Sequence, residues 1–320
     1  MASHSTPSTR ESDRSRPNLT PGDPILRRRI ARKLRELREE KAVLLEDVAR
    51  ETRVSTSTLS RLENAQGSAN APTMRALVNY YELSDIEGAR LEQWAKDGRK
   101  HGWWQDFPEA SEKIGGYVAY ESQATVAKLY VIPFIPVLLQ TADYSRALSR
   151  IYYPDCSEAE LTRLVAFQQH RQEILEPRTG RPALRLRVIL HESCIRQRVG
   201  SLDVMLGQLE TMEDRARKHK NIQLQVLPMN QEAHKAMNGT WTLFEYADDM
   251  DSNVALLENP QGLVVAQLME NPSEVSNAAK NFDQLSKLSM IEQDSLKLIE
   301  TVRDSLRAEI AERDRKIASQ

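Results

Sequence analysis

The chain has 320 residues, 40% hydrophobic and 28% charged, enough for two domains with separate cores, and no apolar run reaches the roughly 18 residues that cross a bilayer. The net charge of −2 argues against a protein coated in nucleic acid, yet residues 1–63 hold 14 Lys and Arg against 10 Asp and Glu, so the positive end lies at the front. Cys156 and Cys194 are too few for a disulfide framework or a zinc site and suit a reducing cytoplasm.

Residues 1–24 are rich in Ser, Thr, Pro and Arg, lack the apolar stretch of a secretory signal, and read as a disordered tail. Helical periodicity begins next. Ile30, Leu34 and Leu37 share one face of a first helix over 25–40. Leu45, Val48 and Ala49 mark a short second helix, and Ser55 can cap a third. Pro72 suits the first turn of a fourth, which would bury Met74, Leu77, Val78 and Tyr81. Ser84 and Glu87 form a capping box for a fifth, running through Leu91 and Trp94. Five short helices over residues 25–100 make a compact all-α domain.

The third helix carries the functional signal. Val54, Leu59 and Leu62 fall on one side of it, leaving Ser55, Thr56, Ser57, Thr58, Ser60 and Arg61 on the other. Two short helices joined by Thr52-Arg53-Val54 have the layout of a helix-turn-helix. The second helix of such a pair enters the DNA major groove. It needs an aliphatic inner face and an outer face of short hydrogen-bonding groups with a cation. Arg61 is the informative residue, because arginine bonds guanine bidentately.

The stretch LRELREEKAVLLEDVARETRVSTSTLSRLENAQG resembles a Cro/CI-type (Xre) helix-turn-helix domain, most specifically in the Ser55–Asn64 fragment SxxxLSRLEN. The resemblance covers about residues 25–83. It implies base contacts at Thr56, Ser57 and Arg61, a phosphate contact at Asn64, and a buried ion pair between Arg38 and Glu63. The chain departs from the family in three places. Leu44 and Leu45 stand where a small polar residue and Gln usually open the second helix, which removes a phosphate contact. Arg53 stands where the turn usually has Gly; arginine is less at ease with positive φ, so a turn of different shape is expected, and Arg53 can supply a replacement phosphate contact. The loop NAQGSANAP is longer than usual.

From residue 101 the pattern stays mainly helical to about 180, interrupted by Gly115-Gly116, Pro133 and Pro136. Then the period changes. LRLRVIL (184–190), NIQLQVL (221–227), WTLFEYA (241–247) and NVALLEN (253–259) read as strands, with a helix over roughly 202–219 between the first two. This is a βαβ unit in an α/β layer. Helices return over 273–287 and 290–315, the latter with a Ser289/Glu292 capping box. The expected fold is therefore an all-α helix-turn-helix domain followed by a larger α/β (α+β) domain, residues 101–315, with a small mixed sheet and C-terminal helices.

YVAYESQATVAKLY, IPVLLQTADYSRAL, HRQEIL, VILHESCIRQRVG and NIQLQVLP resemble the C-terminal domain of antitoxin-like Xre regulators of filamentous actinobacteria. The resemblance implies a regulator, often encoded beside a small partner protein. One departure is Val137, where the family motif commonly has Gly; a positive φ there would strain valine.

HESC, residues 191–194, places His191, Glu192 and Cys194 after a strand, where α/β enzymes often carry their sites. No second His stands at zinc-protease spacing, and no Gly-rich phosphate loop occurs, so no metal, cofactor or enzyme is expected, and the fragment reads as a strand end and helix cap. Gln140 and Thr141 in IPFIPVLLQT either face a pocket or partner or belong to a buried linker. Trp103 and Trp104 read as interdomain packing. Leu298, Val302, Leu306 and Ile310 form either a last core helix or a dimer contact.

The reading as a whole is a cytoplasmic, sequence-specific regulator that binds double-stranded DNA, with a palindromic operator read by a homodimer. The larger domain would dimerise and receive a small-molecule effector or a small partner protein. The alternative is an antitoxin-like protein whose main task is holding that partner.

Overall fold

A computed structural model of the chain describes residues 23–100, 102–178, 181–247, 252–258 and 265–319. The tail expected over 1–24 lies outside these except for its last two residues, which belong to the first helix instead. Asp23 caps α1 (Pro24–Glu40), its carboxylate accepting from Ile25 N at 2.9 Å, and Pro24 fills the first turn.

α1 is followed by α2 (Leu45–Thr52), α3 (Thr56–Glu63), α4 (Ala71–Tyr80) and α5 (Asp85–Asp97). Their aliphatic faces close on one core containing Leu34, Leu37, Val48, Leu59, Leu62, Met74, Leu77 and Leu91. Ser55, Asn70 and Ser84 cap α3, α4 and α5. The carboxyl ends are less conventional. Ala42, Arg53, Ala65 and Glu82 all have positive φ, between 51° and 58°, in positions where glycine is the usual residue. After α1, α3 and α4 the chain makes the paired terminal bonds of a Schellman motif, for instance Val43 N to Arg38 O and Ala42 N to Glu39 O.

The larger domain holds a six-stranded mixed sheet in the order β3-β2-β1-β4-β5-β6. The strands are β1 (Val126–Val131), β2 (Arg185–His191), β3 (Ile222–Leu227), β4 (Trp241–Glu245), β5 (Val254–Glu258) and β6 (Val265–Met269). β1, β2 and β3 are parallel; β4, β5 and β6 extend the sheet antiparallel. α6 (Pro108–Gln123), α7 (Ala142–Tyr152), α8 (Glu158–Arg171), the short α9 (Ser193–Arg196), α10 (Leu202–Lys218) and α12 (Glu292–Ala318) share the core on one face, while α11 (Pro272–Leu288) covers the other. The βαβ unit expected from the strand–helix–strand order is β2–α10–β3.

Four expectations are corrected. Residues 126–131, inside the stretch read as helical, form β1. It is a central strand buried on both faces, so it lacks the alternation that marks a half-exposed strand. β6 was not anticipated at all. α6 runs through Gly115-Gly116 without a break. Ser289 and Glu292 do not form a capping box: Ser289 ends α11, its hydroxyl bonded to Leu285 O at 2.7 Å, and Ile291 precedes α12.

α12 carries the apolar stripe at the C-terminus. Leu296, Ile299 and Val302 are buried, with Leu298 and Leu306 packed beside them. Farther along, Arg307 pairs with Glu210 and Arg313 with Asp203 of α10, each at 2.7 Å. The stripe is a core helix along its first half and an ion-paired arm along its second. Trp103 and Trp104 pack on the larger domain, Trp103 standing 4.2 Å from the His170 ring and 6.0 Å from that of Phe107. The contact between domains runs through α1: Ile25 joins the larger core, and Arg28 Nε reaches Glu270 at 3.1 Å.

Candidate nucleic-acid interface

α3 is short, and three contacts fix its orientation. Leu59 and Leu62 are each 3% exposed and point into the helical core. Glu63, also buried, receives Arg38 of α1 in a forked ion pair. Arg35, one turn earlier on α1, donates from Nη2 to Glu63 O at 2.7 Å and to Asn64 Oδ1 at 3.2 Å. It places a cation on the carbonyls at the end of α3, where the helix dipole favours one. The sequence reading missed Arg35. The available signal was its position three residues before Arg38, on the same side of α1.

Beside this anchor, burial and the nearby Glu63 carboxylate push the Tyr81 phenol up to about 12. Tyr81 is thus a neutral packing group, and Arg38 is held protonated by its bond to Glu63.

The outward side of α3 divides into two groups. Ser55 is the helix cap: its hydroxyl accepts from Thr58 N at 3.1 Å and lies 2.8 Å from the Thr58 hydroxyl. Asn64 turns back on the protein, donating to Ser60 O at 2.8 Å, and Ser60 is half-buried. These four side chains shape the helix ends. Thr56, Ser57 and Arg61 are exposed, as is Arg53 in the turn, and none of the four has a side-chain partner among the described residues. The guanidiniums of Arg53 and Arg61 therefore stand free at the two ends of a hydroxyl-bearing face.

Arg53 adopts φ 58°, ψ 25°. The expectation of a differently shaped turn is corrected: the left-handed turn is kept, with arginine where glycine would be unstrained. Thr52 supports it, donating to Val48 O at 2.6 Å. Leu44, which precedes α2, is 67% exposed and offers no polar group.

The candidate residues of the larger domain sit in two places. Gln140 is 2% exposed and committed internally: Nε2 donates to Ile135 O at 2.6 Å, and Oε1 accepts from Ser145 at 2.7 Å. Thr141 caps α7, and its N–H donates to Gln208 Oε1 at 2.7 Å. Gln172 bonds Val137 O and Gln140 O, each at 2.7 Å. The 136–141 segment is thus a buried linker held by glutamines from α10 and from the end of α8. Val137 opens a 3-10 turn and is not among the left-handed residues, so it carries no strain.

His191 and Glu192 lie elsewhere, at the carboxyl end of β2. Glu192 accepts from Arg196 at 2.6 Å and from Met229 N at 2.9 Å. Cys194 is fully buried, donates to Val131 O at 3.3 Å, and burial pushes its thiol far above the ordinary range. A thiol so placed is not a nucleophile near neutral pH.

A further buried pair was not anticipated. Arg171 and Glu121 form a two-bonded fork, both bonds 2.8 Å, with the Arg171 guanidinium 5.1 Å over the Tyr117 ring. Both residues lie in the fragments YVAYESQ and HRQEIL, which explains those fragments structurally: they clamp α8 to α6. Among the described residues no group of His, Cys, Asp and Glu is placed to hold a metal ion, and no helix is long and apolar enough to cross a membrane.

Residues 29–91 match the family model of a helix-turn-helix domain, and residues 114–301, more than half the chain, match that of a domain of unknown function, DUF5753. No curated protein and no solved structure matches the chain.

Proposed function

The chain belongs to the DUF5753 family and carries a helix-turn-helix domain ahead of the part that defines the family; from that premise we propose that it is a sequence-specific, DNA-binding transcriptional regulator. Arg61, Thr56 and Ser57 would meet base edges in the major groove, and Arg53 a phosphate. Thr58, with its hydroxyl shared with the cap, would contribute less, and Asn64 would orient the helix rather than touch DNA.

One observation carries this reading. The inner face of α3 is locked by Leu59, Leu62 and Glu63, while its outer face and the turn before it present two arginines and two hydroxyls that have no side-chain partner among the described residues. One such helix reads only a few base pairs, so the working form would be a homodimer on two half-sites about one helical turn apart. The larger domain would control it, and its role would be binding rather than catalysis.

Chromatin immunoprecipitation with sequencing, followed by electrophoretic shift of the recovered fragments, tests the reading. Recovery of a shared, two-fold symmetric site that the full chain retards is the expected result. A protein that retards no DNA at low salt, where phosphate contacts are strongest, overturns it.

A further inference from the structure

The carboxyl ends of parallel strands are where open α/β sheets receive ligands. In this protein that edge belongs to β1, β2 and β3, and on the α11 face of the sheet it gathers three groups that the DNA reading does not use. Tyr130 stands opposite Ile189 in register, and His191 opposite Leu227. Since Ile189 and Leu227 pack in the α11-side core with Tyr130, Tyr130 and His191 share a face. His234, from the segment after β3, sets its ring edge-on to Tyr130 with 6.0 Å between centroids.

Tyr130 is fully buried, yet among the described residues its hydroxyl has no hydrogen-bond partner, and neither has the buried Nδ1 of His234. Each such atom destabilises the fold when left unsatisfied. Two of them side by side at a strand-end edge are not an accident of packing that a fold keeps without return.

The third group has a defined proton. Ser193 N donates to His191 Nδ1 at 3.2 Å, so in the neutral ring the proton sits on Nε2. Burial, and after it the neighbouring His234, pushes His191 below its usual value, while Glu192 opposes the shift. Glu192 is itself bound to Arg196 and Met229 N. The cation on this face of β2, Arg187, is held 5.1 Å over the Phe282 ring. Around the three groups, Ile132, Leu227, Ala236 and Trp241 form an apolar frame.

We propose that Tyr130, His191 and His234 form a binding site for a small uncharged molecule that carries a carbonyl oxygen beside an apolar body. The Tyr130 hydroxyl and the His191 Nε2–H are donors for that oxygen, and His234 Nδ1 serves the hydroxyl or a ligand donor. A carboxylate fits less well, because Arg187, the cation on this face of β2, is engaged with the Phe282 ring and would not offset its desolvation. This assigns the effector class of the proposed regulator but does not depend on DNA binding.

Thermal melting of the full chain with benzamide tests it, with benzoate as the charged probe of similar shape. Benzamide should raise the melting temperature of the native chain, and benzoate should raise it less. Tyr130→Phe should bind benzamide about tenfold more weakly, the loss of one hydrogen bond. Without ligand the same variant should melt at or above the native temperature, since it removes an unsatisfied hydroxyl. No shift with benzamide, or equal shifts in both proteins, overturns the proposal. So does an unliganded Tyr130→Phe that melts well below the native chain, which would mean an ordered water already serves the hydroxyl. The readout uses no DNA, so its failure leaves the DNA reading intact, and a failure to bind DNA leaves this site standing.

Discussion

Arg38 and Glu63 meet in a forked ion pair, with Arg38 Nε 2.8 Å from Glu63 Oε1 and Arg38 Nη2 3.0 Å from Oε2. The pair joins α1 to the last turn of α3, and its carboxylate is only 8% exposed. The aim of the outward face of α3 thus rests on an interaction made wholly inside the domain.

Arg38→Ala leaves the buried Glu63 carboxylate without its ion-pair partner and should destabilise the helical domain by about 3–5 kcal/mol. Glu63→Ala leaves a guanidinium that is partly exposed and should cost less. The double change Arg38→Met, Glu63→Leu should recover much of that loss, because apolar replacements of similar size often equal a buried pair. Urea unfolding followed by circular dichroism measures all three. Single variants as stable as the native chain would show that the pair holds nothing.

Arg61 has no partner among the described residues, so its removal should spare stability and act on DNA alone. Arg61→Ala is expected to weaken binding to the recovered operator by about 1–3 kcal/mol and binding to random duplex by much less. Equal losses on both would make Arg61 a phosphate contact.

Arg53 holds a left-handed conformation, which costs a side-chain-bearing residue about 1–2 kcal/mol. Arg53→Gly removes that strain at an entropic cost of about 0.5–1 kcal/mol, so the melting temperature should rise modestly. The same change deletes the proposed phosphate contact. The slope of log affinity against log salt should then flatten by about one unit. A flattened slope with no gain in stability would remove the strain argument, and the converse would remove the phosphate contact.

Glu258 gives a test in the larger domain. Burial pushes its carboxyl up to about 7, against the opposing pull of Arg171, from an ordinary value of 4.5. Between those values the unfolded chain releases a proton that the folded chain keeps. The group's contribution is therefore complete below pH 4.5 and is lost as pH rises toward 7. Glu258→Gln should remove that decline, so melting curves of variant and native chain should diverge between about pH 5 and pH 8, with the variant gaining at the higher pH. Parallel curves would show a solvated carboxylate.

Much of the helical domain was legible because its signals are local. Ser55 and Ser84 announce helix starts, and Leu59 and Leu62 mark a buried face at helical spacing. The strands β2 to β5 were legible for the same reason. β1 was not, because a strand buried on both sides loses its alternation, and Val126–Val131 then reads as part of its helical surroundings. Ser289 was misread because the same residue can close one helix or open the next, and only the chain's path decides between them.

The candidate site shows the same boundary. Composition alone separates the aliphatic side of residues 54–63 from its hydroxyl and guanidinium side, because a helix repeats every 3.6 residues wherever it packs. That Ser55 and Thr58 satisfy each other, that Asn64 bonds back to Ser60, and that Arg35 braces the end of α3 depend on distances that pattern does not carry. Gln140, Gln172 and Gln208 look like free polar groups in the sequence and prove to be the clasp of a buried linker.

Unaided, the amino-acid sequence determined the features that arise from periodicity and short-range chemistry: an amphipathic helix pair with a cationic, hydroxylated face, and after it a βαβ layer. Tertiary structure alone decided which polar side chains are spent inside the protein and which are left over. Tyr130, His191 and His234 are far apart along the chain and meet only because parallel pairing of β1 to β3 brings their strand ends together. Hydrogen bonding acts over about 3 Å, and no linear pattern encodes which distant residues will come within that reach.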